Sequence, residues 1–391
     1  MAMRLTINLI DAKTNRFLKA PSMFLAIIFV LLVNGAGCKK AYDPPAISTP
    51  ASYLVIEGII NSGGDSTIIK ITRTINLNQT ATDSVVGALA TVEDNQGNSF
   101  VLPEQTNGIY VSPGLSVDKT RAYRLRVKTT DNQVYLSAFE PVIITPPIDS
   151  VGFKVESSGL QVYVNTHDAT SSVKYYRWAY NETWEFHSYF YSTAMIQGHQ
   201  LVARTQDSDI YFCYANNASS DIPLASTANL SQSAIFQKEV NFIASTSEKL
   251  ELRYSILVKE YALTADAYNF YSKLESNSSL LGSIFDAQPS AVPGNISCIT
   301  NPQQPVIGYI GVSNVTSKRV FISNSSLPDS WMATYPSFCL LSPAAPGLIS
   351  DYLSENPKLF QFIDLAQDHS TTICVDCTIR GDRTSPPFWI Y

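Results

Sequence analysis

The sequence is short of charge, of histidine and of any basic excess. Asp, Glu, Lys and Arg together make up 15% of its 391 residues, and the formal net charge is −6. Removing the first 37 residues takes away four basic side chains and one acidic one, so the acidic excess grows. An acidic chain without a basic stripe is not built to bind nucleic acid. The four histidines, His167, His187, His199 and His369, are scattered. No His-x-His cluster and no second close cysteine pair exists to complete a zinc site with Cys374 and Cys377. The Gly-x-Ser-x-Gly elbow, His-Glu-x-x-His, the phosphate loop, the dinucleotide fingerprint and the calcium ladder are all missing. No catalytic residue, metal ligand or cofactor is therefore assigned, and covalent chemistry is the less favoured reading. Disorder is excluded by 45% hydrophobic residues, among them 21 tyrosines and 18 phenylalanines.

The N-terminus carries a targeting pattern. Arg4, Lys13, Arg16 and Lys19 precede an eleven-residue apolar run at 23–33 (MFLAIIFVLLV), then Gly35-Ala36-Gly37 and Cys38. The run is too short to cross a bilayer comfortably and fits a signal-peptide core. Small residues ending in cysteine resemble a bacterial lipobox. Residues 1–37 are expected to be a lipoprotein signal peptide and Cys38 the lipidated residue. Acyl chains on Cys38 anchor stably because each buried methylene contributes roughly 0.8 kcal/mol. Residues 38–52, with their prolines, then form a tether. After residue 33 no apolar run of membrane-spanning length follows.

From residue 53 the pattern is that of a mainly β protein. Short β-branched runs at 53–61, 67–75 and 88–92 precede further short runs at 100–102, 108–111, 122–129 and 134–144. In 122–129 (AYRLRVKT) apolar and basic residues alternate, as in a strand with one wet face. About seven strands with turn signals between them predict an immunoglobulin-like β-sandwich over 53–147. Thr145-Pro146-Pro147 ends it. Residues 148–391 are expected to form a larger β-rich domain with one or two helices. Its strands are placed at 161–165, 175–191 and 250–263, and 306–312 is expected to pair with 319–323. A helix is predicted at 265–275, capped by Thr264, with Ala267, Tyr271 and Leu274 on one face. Residues 215–232 read as a polar loop.

Several segments in order resemble one family. Leu54-Val55-Ile56-Glu57-Gly58, Tyr176–Glu185 (YRWAYNETWE), Cys298–Gly308 (CITNPQQPVIG), Cys374–Gly381 (CVDCTIRG) and Pro387-Phe388-Trp389 are similar to Bacteroidota lipoproteins carrying domain of unknown function 4249. The last cysteine segment departs from the family form at Asp382, where a second glycine is expected. The resemblance implies an outer-membrane protein, anchored by lipid, that partners a TonB-dependent receptor as an accessory or ligand-capture component. An envelope hydrolase acting on a glycan and a purely structural lipoprotein are the alternatives.

Five cysteines follow Cys38: Cys213, Cys298, Cys339, Cys374 and Cys377. In an oxidising envelope most should pair, and an odd number leaves at least one free. The sequence allows many pairings, and the Cys374/Cys377 pair reads as a structural staple. Candidate ligand contacts come from the aromatic segment 175–191. As a strand it places Arg177, Asn181, Thr183, Glu185 and His187 on one face, with Tyr176, Trp178, Tyr180, Glu182, Trp184 and Phe186 on the other. Trp178, Glu182, Trp184, Glu185 and His187 are the residues singled out. Glu182 breaks the pattern, since a carboxylate among aromatics is costly unless paired. An aromatic face of this kind is more simply a core, with the polar face solvated.

Overall fold

Alternation of β-branched and polar residues sets the first layer. In the strand Thr67–Arg73, Ile69 and Ile71 are fully buried while Ile68 is exposed, so one face alone is committed to a core. This strand pairs with Leu54–Asn61 and Ile109–Ser112, and Glu104–Thr106 lies beyond. Leu89–Asp94, Ser99–Leu102, Ala122–Lys128 and Val134–Ser137 build the facing sheet. In Ala122–Lys128 the alternation holds: Tyr123, Leu125 and Val127 are buried, while Arg124 reaches Glu93 at 2.7 Å on the outer side. The two sheets share one core and form the sandwich that the strand spacing predicts.

The structure is a computed structural model that describes residues 52–75, 83–279, 292, 294–354 and 360–390. The expected signal peptide, Cys38 and all of the expected tether but its last residue lie outside the described residues. Among these residues no helix is long and apolar enough to cross a membrane.

The sandwich is completed from far along the chain. Val306–Ile307 and Gly311–Ser313 run parallel to Leu54–Asn61, and Ile296–Cys298 pairs with Val134–Ser137. The expected pairing of 306–312 with 319–323 is therefore not formed. Ile310 and Val312 are buried in the sandwich core, which is why this segment returns there. Gly308 makes the return sterically possible: at φ +147° its chain passes so close to the Ile56 carbonyl that a Cβ would sit 2.1 Å from that oxygen.

Residues 145–147 form a packed junction. Thr145 is buried, its hydroxyl accepts from the Ala262 amide at 3.1 Å, and its own amide donates to Asn314 Oδ1 at 2.8 Å. Beyond it, a sheet of Ile148–Glu156, Gly159–Asp168 and Ser233–Ala244 faces a second sheet. That second sheet orders Phe212–Ala218, Tyr175–His187, Arg253–Leu263 and Thr316–Ser323. Leu160, Val162 and Val164 of the first meet Tyr176, Trp178, Ile256 and Val258 of the second in one core. Ile148–Glu156 and Ser233–Ala244 are strands that the sequence reading did not place. Part of the expected 215–232 loop is strand as well, because Phe212–Ala218 is held in ladder with residues 181–187 despite its exposed asparagines.

The helix Ala265–Ser279 starts where predicted, with Thr264 Oγ1 accepting from the Ala267 amide at 3.2 Å. Ala267 and Phe270 bury against Leu263 and Tyr309, with Tyr271 and Leu274 packed beside them. Two shorter helices, Leu348–Ser354 and the single turn Thr372–Val375, belong to the C-terminal stretch.

Candidate functional site

The strand Tyr175–His187 organises the second body. Its burial alternates nearly without fault, placing Tyr176, Trp178, Tyr180, Glu182, Trp184 and Phe186 on the inner face. Two carboxylates lie in this interior. Glu182 accepts from the Tyr254 hydroxyl at 2.7 Å and from Asn241 Nδ2 at 2.9 Å, and Lys249 Nζ sits 2.6 Å from its other oxygen. The same ammonium lies over the Trp184 ring, 5.1 Å from its centroid. Beside this carboxylate and away from water, the Tyr254 hydroxyl is pushed well above its ordinary pKa, first by burial and then by the charge of Glu182.

Glu260 is the second buried carboxylate, and among the described residues no cation pairs with it. One oxygen accepts from Trp178 Nε1 at 2.8 Å and the other from the Thr166 hydroxyl at 2.9 Å. Burial pushes its pKa up to about 7 against these two stabilising hydrogen bonds. The sequence reading passed Glu260 over. Its signal was available: counting by two from Tyr254, Ile256 and Val258 lands on it, the inward phase of the strand Arg253–Leu263.

The outer face of Tyr175–His187 is not left to solvent alone. The C-terminal tail crosses it, exchanging backbone hydrogen bonds between Asp382 and Tyr214 and placing the Trp389 ring against Tyr214 and Phe321. Two disulfides hold the tail, Cys213–Cys377 and Cys339–Cys374, while Cys298 is a buried free thiol in the sandwich core. Cys374 and Cys377 thus staple two different elements rather than each other. Glu185 lies on this face. Burial raises its pKa, while the Tyr214 hydroxyl at 3.4 Å and the charge of Arg253 pull the other way.

At the end of the strand the aromatic residues reach the surface. His187 stacks on Tyr211, with centroids 4.8 Å apart and planes at 14°, and lies near-parallel to Tyr335, whose hydroxyl is 3.2 Å from its Nδ1. Its Nε2 lies 3.3 Å from Glu251, which also accepts from the Tyr335 hydroxyl. Tyr189 contacts Tyr335, Tyr191 meets Tyr211 edge-on, and Phe212 packs edge-on against Tyr211. Tyr189, Tyr191 and Phe212 are 45%, 54% and 47% exposed. The result is a connected aromatic platform whose rings are fixed from below by the His187–Glu251–Tyr335 contacts.

Of the five residues singled out for ligand contact, Trp178, Glu182 and Trp184 are interior, because they share the inward phase of their strand. Only Glu185 and His187 lie on the outer phase, and of these His187 joins the platform. Glu182 has the partner that a carboxylate among aromatics needs, and it is Lys249. Tyr211, Phe212, Glu251 and Tyr335 were not singled out, since they come from separate segments that only the fold assembles. Among the described residues no group of three or more His, Cys, Asp or Glu side chains is arranged to hold a metal.

A family profile described as "Domain of unknown function (DUF4249)" matches residues 39–319, more than half of the chain. The chain belongs to this family. The DUF4249 match ends within the last strand of the aromatic-strand sheet, so Cys339, Cys374, Cys377 and the crossing tail lie beyond it. No curated protein sequence matches the chain. Among solved structures, an Escherichia coli alpha-2-macroglobulin activated by porcine elastase aligns at 11% identity and a TM-score of 0.18, over 55% of this chain and 18% of that one. The chain thus spans less than a fifth of that protein's length. A two-domain fibronectin type-III segment of chicken tenascin aligns at 12% identity and a TM-score of 0.15, over 53% of this chain and 90% of that one.

Proposed function

We propose that this DUF4249 protein is a lipid-anchored accessory component of the outer membrane that captures a saccharide on the platform around His187 and works beside a TonB-dependent receptor. The capture reading rests on one observation: three exposed rings, Tyr189, Tyr191 and Phe212, backed by a stacked His187–Tyr211 pair. Aromatic side chains supply large contact area at low entropy cost, and their faces suit the C–H faces of sugar rings. Anchorage is supported by the apolar run, the small residues and Cys38. The hydrolase reading that uses Glu182 and Glu185 as acid and base finds no support in the geometry, since the two carboxylates point to opposite faces of one strand.

Two measurements test the proposal. A glycan array probed with the wild type and with the Tyr189→Ala/Tyr191→Ala variant should give at least one saccharide signal that the variant loses; silence across the array overturns saccharide capture. Affinity isolation from gently solubilised native membranes, read by mass spectrometry, should recover a TonB-dependent barrel in stoichiometric amount. Recovery of the chain alone, under conditions that preserve receptor–lipoprotein complexes, removes the partnership and leaves saccharide capture to be decided by the array.

A further inference from the structure

A second site lies away from the platform, on the outer face of the aromatic-strand sheet. There a cleft of about 510 Å³ opens between the sheet and the crossing tail. Arg319 lines it. Its Nη1 donates to Ser255 Oγ at 2.9 Å, and the Phe388 ring covers the guanidinium with its centroid 3.6 Å away. Among the described residues this guanidinium makes no ion pair, and burial alone lowers its pKa with no acid acting against it. A guanidinium carries five N–H donors in a planar fork that matches a carboxylate, and Ser255 accounts for one of them. The side chains of Asn181 and Asn216 and the 39%-exposed Phe388 also line the cleft. So does Asp382, whose carboxylate accepts from the Thr384 amide at 2.8 Å and is held below its ordinary pKa mainly by Thr384.

We propose that this cleft binds a small molecule carrying one carboxylate and neighbouring hydroxyl or amide donors, with Arg319 as the partner of the carboxylate. The lone cation fixes the anionic group, and the two asparagines meet donors and acceptors alike. Asp382, ionised in the same cleft, accepts from hydroxyl or amide groups and disfavours a second carboxylate on the ligand. Phe388 holds the guanidinium flat and offers an edge to the ligand body. The chemistry is shared by an acidic sugar and by the free C-terminus of a short peptide.

Saturation-transfer NMR on the full lipidated protein in detergent micelles separates the sources. Methyl glucuronide is compared with methyl glucoside, and Gly-Gly-Ala with its C-terminal amide, at millimolar concentration. The acid of one pair should bind, its neutral counterpart should bind roughly tenfold more weakly, and Arg319→Gln should cause a loss of similar size. Asn216→Asp, at an exposed position that leaves the core untouched, should weaken the acid by placing a like charge beside it. A wild-type-like thermal midpoint for that variant separates this effect from misfolding. Equal binding of acid and neutral probes, unchanged binding by both variants, or no binding by any of these probes overturns the assignment. The same comparisons are run on Tyr189→Ala/Tyr191→Ala, which lacks two exposed rings of the His187 platform, so that saccharide binding there is not counted for the cleft and failure here leaves the capture proposal standing.

Discussion

Replacing Glu260 by glutamine should change how the stability of this protein depends on pH. The carboxyl titrates near 4.5 when exposed and is pushed up to about 7 in the fold. Between those values the native state keeps a proton that the unfolded chain has released, so ionising Glu260 costs stability as the pH rises. The favourable contribution is complete below about 4.5 and is lost as the pH rises through about 7. At roughly 1.4 kcal/mol for each pH unit, the gap corresponds to about 3 kcal/mol. Glutamine has nearly the same shape and no charge. Its carbonyl can accept from Trp178, and its amide can donate to the Thr166 hydroxyl once that hydroxyl turns. Urea unfolding of the full chain, followed by tryptophan fluorescence from about pH 5 to pH 8, measures the difference directly. Subtracting the Glu260→Gln curve from the wild type cancels every other titrating group. The wild type should lose about 3 kcal/mol relative to the variant across that range. Parallel curves would refute the claim that this carboxylate is buried without a compensating charge.

Lys249→Ala should destabilise the chain by roughly 3 kcal/mol, because it strands the Glu182 carboxylate in the core; urea unfolding reads the loss, and a change near zero would mean that Tyr254 and Asn241 suffice. Alkylation of the chain unfolded without reductant should modify Cys298, and reduction should then release Cys213, Cys339, Cys374 and Cys377, as mapped by peptide mass spectrometry. Trp389→Ala should loosen the tail without unfolding the sheet, so limited proteolysis should speed up only beyond Cys377, which its disulfide retains.

What was legible in the sequence was local. The alternation in 122–129 and 175–187 named the buried face of each strand correctly, and Thr264 marked the start of its helix. Alternation states which side faces a core, but not which strand lies alongside. Residues 306–312 therefore paired wrongly on paper with their nearest strand-like neighbour, while the sandwich edge that they complete is about 250 residues away in the chain. The platform was half legible for the same reason: Tyr189, Tyr191 and His187 sit in one aromatic run, whereas Phe212, Glu251 and Tyr335 arrive by folding. Trp178 and Trp184 drew attention as aromatics, and their inward phase, already evident from the period, is what makes them core. Gly381 shows the limit of motif reading. Its segment resembled the family, but only the fold reveals that a Cβ there would stand 2.5 Å from the Tyr214 carbonyl, where the tail crosses the sheet.

The late return of residues 296–313 to the first sandwich has a consequence for how the chain is made. A ribosome delivers Leu54–Asn61 long before Gly311–Ser313 exists, so the edge of that strand waits unpaired through most of synthesis. The same holds for Val134–Ser137 until Ile296–Cys298 emerges. Open edges of this kind invite pairing with other chains. The sandwich cannot close by itself from its own stretch of sequence; its last strands arrive only after the sheet that carries the aromatic strand has largely been made. The sandwich is therefore completed late, and a nascent chain cut short before residue 296 would present two unguarded strand edges.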